Sequence, residues 1–214
     1  MELVRSGMVI GLGTGSTSDF FLQALAAALK AGMLRDVRGV PTSRRSEQRA
    51  RELGIRLTTL AEAPHPDITI DGADEITPSL DLIKGLGGAL LREKMLAQAS
   101  NRLVIIADSS KCVPYLGARS PLPVEVVPFC HEVHVPFLRS LGAQPALRKT
   151  PEGTPYVTDN SNYIYDCRFQ RIDDPTGLEN ALSQRAGIVG CGLFTHMAEM
   201  AIVADDGIVR KLRR

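Results

Sequence analysis

The chain has no tryptophan, and aromatic residues make up only 5% of its 214 positions. A surface that stacks nucleic-acid bases needs aromatics among its cations, so this composition speaks against that function class. Charge of one sign is missing too: 25 basic and 24 acidic residues leave a formal net charge of +1. Such a balance exerts no pull toward nucleic acid or an anionic membrane, and neither is expected as a partner. No apolar run approaches the roughly 20 residues of a membrane helix. The N-terminal apolar run is short and broken by Gly11 and Gly13, unlike a signal peptide. Four cysteines, Cys112, Cys130, Cys167 and Cys191, form no CxxC pair and read as reduced thiols in a cytosolic protein. Internal repeats and low-complexity segments are absent. What remains is 44% hydrophobic and 23% charged, the make-up of a soluble, cytoplasmic chain with a real core.

The apolar runs predict strands that alternate with helices. A strand at 8–10 breaks into GLGTGST at 11–17, and an Ala/Leu-rich helix follows over about 19–31 with Gly32 as its C-cap. Further strands are expected at 37–40, 55–57, 68–70 and 103–107, and helices at 43–53 and about 89–99. This alternation argues for an α/β fold, a doubly wound, mainly parallel, Rossmann-like sheet. Such sheets bind ligands at the carboxyl ends of their strands. Three motifs stand there: GLGTGST, DGADE at 71–75 and DSSK at 108–111. The character changes at PLPVEVVP (121–128). Beyond it a helix at about 131–141, strands at 156–158 and 163–168, a helix near 177–185, and strands at 189–193 and 201–204 are expected. That order, β-α-β-β-α-β, suggests a smaller ferredoxin-like α+β domain. The division is then 1–123 with 194–214 for the large domain and 124–193 for the small one.

Chemistry is densest at 71–94, where DGADE is followed after eight residues by KGLGGALLREK. Asp71 and Asp74 suit hydrogen bonds to sugar hydroxyls, or simply a solvated Asx turn. No nearby His completes a metal-ligand set around them. Glu93 shares a helix face with Ala89, Leu90, Leu96 and Ala97. Buried there, its pKa rises from about 4.3 toward neutrality, as a general base near pH 7 requires. The plain alternative is an exposed Glu paired with Arg92 or Lys94. Lys84 suits a phosphate, a developing oxyanion or a solvated surface charge, and Gly85, Gly87 and Gly88 favour close approach of a substrate to the backbone. Lys111 suits a phosphate in the same way. Residues 11–17 put three glycines and three hydroxyls before a helix, which fits phosphate binding or a ligand-free tight turn. The stretch lacks the Lys-Ser/Thr ending of a P-loop, and Ser16 replaces the last Gly of G-x-G-x-x-G. Cys130-His131-Glu132-Val133-His134 lacks HExxH spacing, and His65 and His196 stand alone, so no metal site is expected.

Taken in order, GLGTGST, DGADE, KGLGGALLREK and DSSK resemble the type A ribose-5-phosphate isomerases. The similarity continues through PLPVEVVPF, YVTDNSNYIYD and GLF, so it spans nearly the whole chain. The resemblance implies interconversion of ribose 5-phosphate and ribulose 5-phosphate without a metal or organic cofactor. It implies that Glu93 moves a proton between C1 and C2 through an enediolate, with Asp71, Asp74 and Lys84 at the reacting end of the sugar. It assigns substrate contacts to Thr14, Gly15, Ser16, Thr17, Gly72, Ala73, Gly85, Leu86 and Gly87, and the phosphate to Lys111. It also implies a homodimer or homotetramer, and a helix before the first strand of which residues 3–7 match only the tail.

Rival readings meet specific obstacles. A sugar-phosphate-sensing regulator needs a DNA-binding module that this length and charge do not offer, and a coenzyme A transferase places its glutamate in another motif. A nicotinamide-dependent oxidoreductase wants an acid after the second strand, where Val40 is followed by Pro41, Thr42 and Ser43.

Overall fold

Aliphatic runs buried on both faces are what a helix-covered parallel sheet demands, and the first half of the chain supplies them. The computed structural model describes all residues 1–214. Its elements are β1 (Val9–Leu12), α1 (Ser16–Lys30), β2 (Arg38–Pro41), α2 (Arg44–Glu52), β3 (Ile68–Asp71), β4 (Glu75–Ile76), β5 (Leu82–Ile83), α3 (Leu90–Ala99) and β6 (Leu103–Asp108). Then follow β7 (Leu122–Val126), α4 (His134–Ser140), β8 (Gln144–Leu147), β9 (Tyr163–Arg168), α5 (Pro175–Ser183), β10 (Ile188–Cys191), β11 (Leu193–Phe194), β12 (Met200–Asp205) and β13 (Ile208–Arg213). One unit comprises Met1–Gly72, Arg92–Ser109 and Met197–Arg214, the other Ala73–Leu91 and Ser110–His196.

The first unit holds a six-stranded sheet in the order β13-β12-β6-β3-β1-β2. All neighbours are parallel except the β12–β13 hairpin. Ile10, Leu12, Ile68, Ile70 and Val104 of the strands form one core with Leu22 and Leu25 of α1. The α1 helix begins three residues before its expected start at 19, because Gly15 takes φ 113° as N-cap and turns the chain at once into the helix. Ser43 caps α2 with a reciprocal Ser43–Ser46 box. The strand expected at 55–57 shrinks to a single Gly39–Leu57 bridge. The unexpected β13, IVRKLR, is exposed and rich in cations, which guard the sheet edge against further pairing.

In the second unit the order β7-α4-β8-β9-α5-β10 builds a four-stranded antiparallel sheet, β10-β7-β9-β8. The β-α-β-β-α-β reading holds, with β9 and β10 at the strands expected at 163–168 and 189–193 and with β7 and β8 as strands that were not expected. PLPVEVVP contains β7, buried along its whole length, and its prolines and Glu125 mask the strand pattern. Residues 156–158 form no strand; there Lys149 and Pro155 make only an isolated bridge. The strand expected at 201–204 is β12 of the other sheet. The helix expected at 131–141 is entered through Cys130, at φ 48°, and is realised as a 3-10 turn (His131–Val133) that runs on into α4. Leu122, Val124, Val126, Tyr165, Leu138 and Leu182 anchor this core. A small sheet, β11-β5-β4, belongs to the same unit. No helix of the chain is long and apolar enough to cross a membrane.

Candidate active site

In the first unit the turn after β1 settles on the end of β3. A Cβ at Gly13 would lie 2.1 Å from Asp71 Oδ1, so glycine is required for the turn to come so close. That oxygen accepts from the Thr14 N–H at 3.1 Å, the Gly72 N–H at 2.7 Å and the Ser18 hydroxyl at 3.4 Å. Asp71 is therefore no solvated turn residue: it is 1% exposed and ties residues 13–18 to β3. The Thr14 hydroxyl bonds those of Thr42 and Ser43 at 2.8 and 2.7 Å, and Thr42 donates to the Leu12 carbonyl. Gly15 is the N-cap of α1, with Ser16 and Thr17 in its first turn. The uncapped N–H groups of a helix start carry partial positive charge and suit an anion.

Glu93 lies in the first turn of α3 and is 4% exposed. This settles the choice left by the sequence against an exposed side chain. Its stripe neighbours Ala89, Leu90, Leu96 and Ala97 are buried with it.

The second unit brings residues 73–75, the end of DGADE, together with KGLGG. Asp74 Oδ2 accepts the Leu86 N–H at 3.0 Å, and the Asp74 N–H donates to the Ile83 carbonyl at 2.8 Å. Lys84 is 3% exposed, which removes the solvated-charge reading. Its N–H donates to the Gly192 carbonyl at 2.9 Å, and its Nζ stands 5.4 Å from the Phe194 ring centre. A Cβ on Gly192 would meet the Lys84 carbonyl oxygen at 2.1 Å. Gly85 and Gly88 both have positive φ; side chains there would strike Leu90 and the Tyr156 hydroxyl. Leu86 and Gly87 are exposed at the tip of the turn, while Gly72 and Ala73 are half-buried.

Lys111 ends a 3-10 turn and is half-buried. The loop after it hangs on Glu75, the last acid of DGADE, which is fully buried and accepts the N–H groups of Gly117, Arg119 and Ser120, each at 2.7 Å. Arg119 Nη1 donates to the Ser110 carbonyl at 2.5 Å, and Ile76 bridges Cys112. Sequence reasoning assigns no role here to Thr42, Ser43, Glu75 or Gly192. Gly192 lies in the motif GLF and Thr42 and Ser43 follow the second strand, but only tertiary pairing shows what they touch. His131 bonds the Tyr165 hydroxyl through Nδ1 at 2.8 Å, a packing role. No three His, Cys, Asp or Glu side chains are grouped to hold a metal ion.

The family model described as ribose 5-phosphate isomerase A (phosphoriboisomerase A) matches residues 38–207. A ribose-5-phosphate isomerase A of Roseiflexus sp. (strain RS-1) is 55% identical over 96% of this chain and 89% of its own length. One of Synechococcus sp. (strain JA-3-3Ab) is 50% identical over 100% of this chain and 93% of its own. Among solved structures, the ribose 5-phosphate isomerase from Plasmodium falciparum aligns at TM-score 0.96 and 42% identity, covering 100% of this chain and 93% of that one. A D-ribose-5-phosphate isomerase in complex with phospho-erythronic acid aligns at TM-score 0.97 and 38% identity, with the same coverage.

Proposed function

As the chain belongs to the ribose 5-phosphate isomerase A family, we propose that Glu93 is the group that carries the proton in its reaction. The enzyme interconverts D-ribose 5-phosphate and D-ribulose 5-phosphate, an aldose–ketose isomerisation of the pentose phosphate pathway. The single observation that carries the assignment is the burial of Glu93, 4% exposed in an apolar stripe. A poorly hydrated carboxylate is the more avid proton acceptor. Glu93 takes the C2 proton of the open-chain aldose as charge moves onto the C1 carbonyl oxygen. In the enediolate the proton of the C2 hydroxyl passes to O1, and Glu93 then returns its own proton to C1 as C2–O becomes the ketose carbonyl.

A proton next to a carbonyl is acidic enough only if the oxygen's growing charge is met by donors. Lys84 and the N–H of Gly87 fill this role, the Leu86 and Gly88 N–H groups of the same turn being bonded to Asp74 and to the Gly85 carbonyl. Asp74 and Asp71 orient the reacting end of the sugar. Thr14, Gly15, Ser16 and Thr17 contribute substrate contacts from the α1 start, with Gly72 and Ala73. Lys111 holds the phosphate, whose binding energy positions the reacting carbons. Phospho-erythronic acid, the compound in one relative's complex, has a carboxylate that matches the enediolate in charge and planarity, and it should bind here as an inhibitor.

The test follows ribulose 5-phosphate formation directly, with and without a chelator. Activity should survive chelation, while Glu93→Gln should lose about 10³-fold or more in kcat and still bind substrate. Near parental turnover in that variant refutes the role of Glu93. We further propose a cytoplasmic homodimer or homotetramer. The apolar side chains of Phe129 and Val133, 83% and 55% exposed, support assembly, and light scattering reads it directly.

A further inference from the structure

The turn at 85–88 is gripped by Arg148, which lies outside every motif above, and by Tyr156 and Asp166, the two ends of YVTDNSNYIYD, to which no role has been given. Arg148, just past β8, donates from Nη1 to the carbonyls of Gly85 (3.2 Å) and Leu86 (3.0 Å). Its Nε and Nη2 form a fork onto Asp166 of β9, at 2.9 and 2.5 Å. The guanidinium carbon stands 5.8 Å from the Tyr156 ring centre, and the Tyr156 hydroxyl occupies the space a Cβ on Gly88 would need. The arginine's own backbone is fixed as well, its N–H on the Ile164 carbonyl and its carbonyl on the Tyr156 N–H. Its side chain is only 12% exposed. A bidentate pair held this way has one geometry, which a flexible ammonium does not reproduce.

In a planar trans peptide the C=O and the following N–H point in opposite directions. A guanidinium holding the Gly85 and Leu86 carbonyls therefore sets the directions of the Leu86 and Gly87 N–H groups. The first meets Asp74 Oδ2. The second belongs to exposed Gly87, and it is aimed away from Arg148. A cation at the carbonyl also polarises the peptide and strengthens its N–H as a donor.

We propose that Arg148, locked by Asp166 and Tyr156, is a positioning residue for the isomerisation: through the Leu86 carbonyl it aims the Gly87 N–H at the enediolate oxygen. The proposal rests on the reading of the 85–88 turn as the oxyanion partner. Because the interaction strengthens as charge develops, its loss belongs in kcat rather than KM.

The experiment compares Arg148→Met, Arg148→Lys and Asp166→Asn with the parent enzyme, each checked for folding by circular dichroism. Arg148→Met should lower kcat about 10- to 100-fold, with KM within about threefold. The inhibition constant of phospho-erythronic acid should rise by the same factor as kcat falls. Arg148→Lys should not recover parental turnover. Parental kcat in folded Arg148→Met, or full activity in Arg148→Lys, overturns the proposal. Should Arg148→Met fail to fold, Asp166→Asn decides: a several-fold lower kcat at retained KM supports the proposal, and unchanged kcat overturns it. Glu93→Gln, assayed beside them, keeps the two readings apart. If it retains turnover the site reading fails; if it is inactive while Arg148→Met is normal, only the positioning role fails.

Discussion

Glu93 and Lys84 are charged side chains with 4% and 3% of their surface exposed, and each is buried for a reason of a different range. For Glu93 the reason is local: apolar residues three and four positions away share its helix face, so burial was one of two readings the sequence left open, beside an exposed Glu paired with Arg92 or Lys94. For Lys84 it is distant. Gly192 clasps its backbone and Phe194 faces its ammonium, and no periodicity around Lys84 announces either. Asp71 shows the same limit, since its hold on the Thr14 N–H depends on β1 lying beside β3. Lys111, at the end of a short 3-10 turn, is read as a binding residue only. Lys111→Ala should raise KM about 10-fold or more at nearly constant kcat, because phosphate affinity is lost in ground and transition state alike. An unchanged KM in steady-state assays would refute its phosphate role.

At the level of elements, the loop from 112 to 120 is held by β4, a strand of two residues. Glu75 there satisfies three backbone N–H groups, and removing its charge leaves three donors facing a weaker acceptor. Glu75→Gln should cost about 3 kcal/mol, or roughly 6–12 °C in Tm, and should raise KM through the loop that follows Lys111. Calorimetry beside kinetics checks both. So short a strand is invisible to any pattern search, as is β5, and the role of Glu75 could not be told from that of Asp74 in the string DGADE. Longer helices with clear caps were legible: α2 behind Ser43, and α3 within one residue. PLPVEVVP was legible only as a change of composition, because Glu125, buried in β7 with Thr158 and Asn162 on its carboxylate, looks polar until those partners are known.

For the whole molecule, the α/β alternation and the β-α-β-β-α-β order came through because they rest on many residues each. The edge strand β13 did not, as its charges hide its pairing with β12. Stability as a function of pH is a property of the whole chain, with His134 as one contributor. Burial, and then the nearby Arg185 and His131, hold its imidazole below the usual value of 6.5, so the folded chain prefers it neutral. The unfolded chain takes up the proton more readily, so this contribution is complete above about pH 6.5 and is lost as pH falls through the depressed value. His134→Gln should therefore flatten the fall in Tm between pH 7 and 5 by a few degrees; an equally steep fall would show that His134 does not contribute. The clasp between Lys84 and Gly192 also orders events in time. A ribosome delivers the amino end first, and at roughly 5–20 residues per second the stretch between the two takes on the order of 5–20 s to appear. During that interval the nascent chain carries every motif up to DSSK, yet Lys84 lacks its backbone partner and β6 waits without its neighbour β12. Until Met200–Asp205 has been made, a strand as apolar as Leu103–Asp108 keeps one edge open to other pairing.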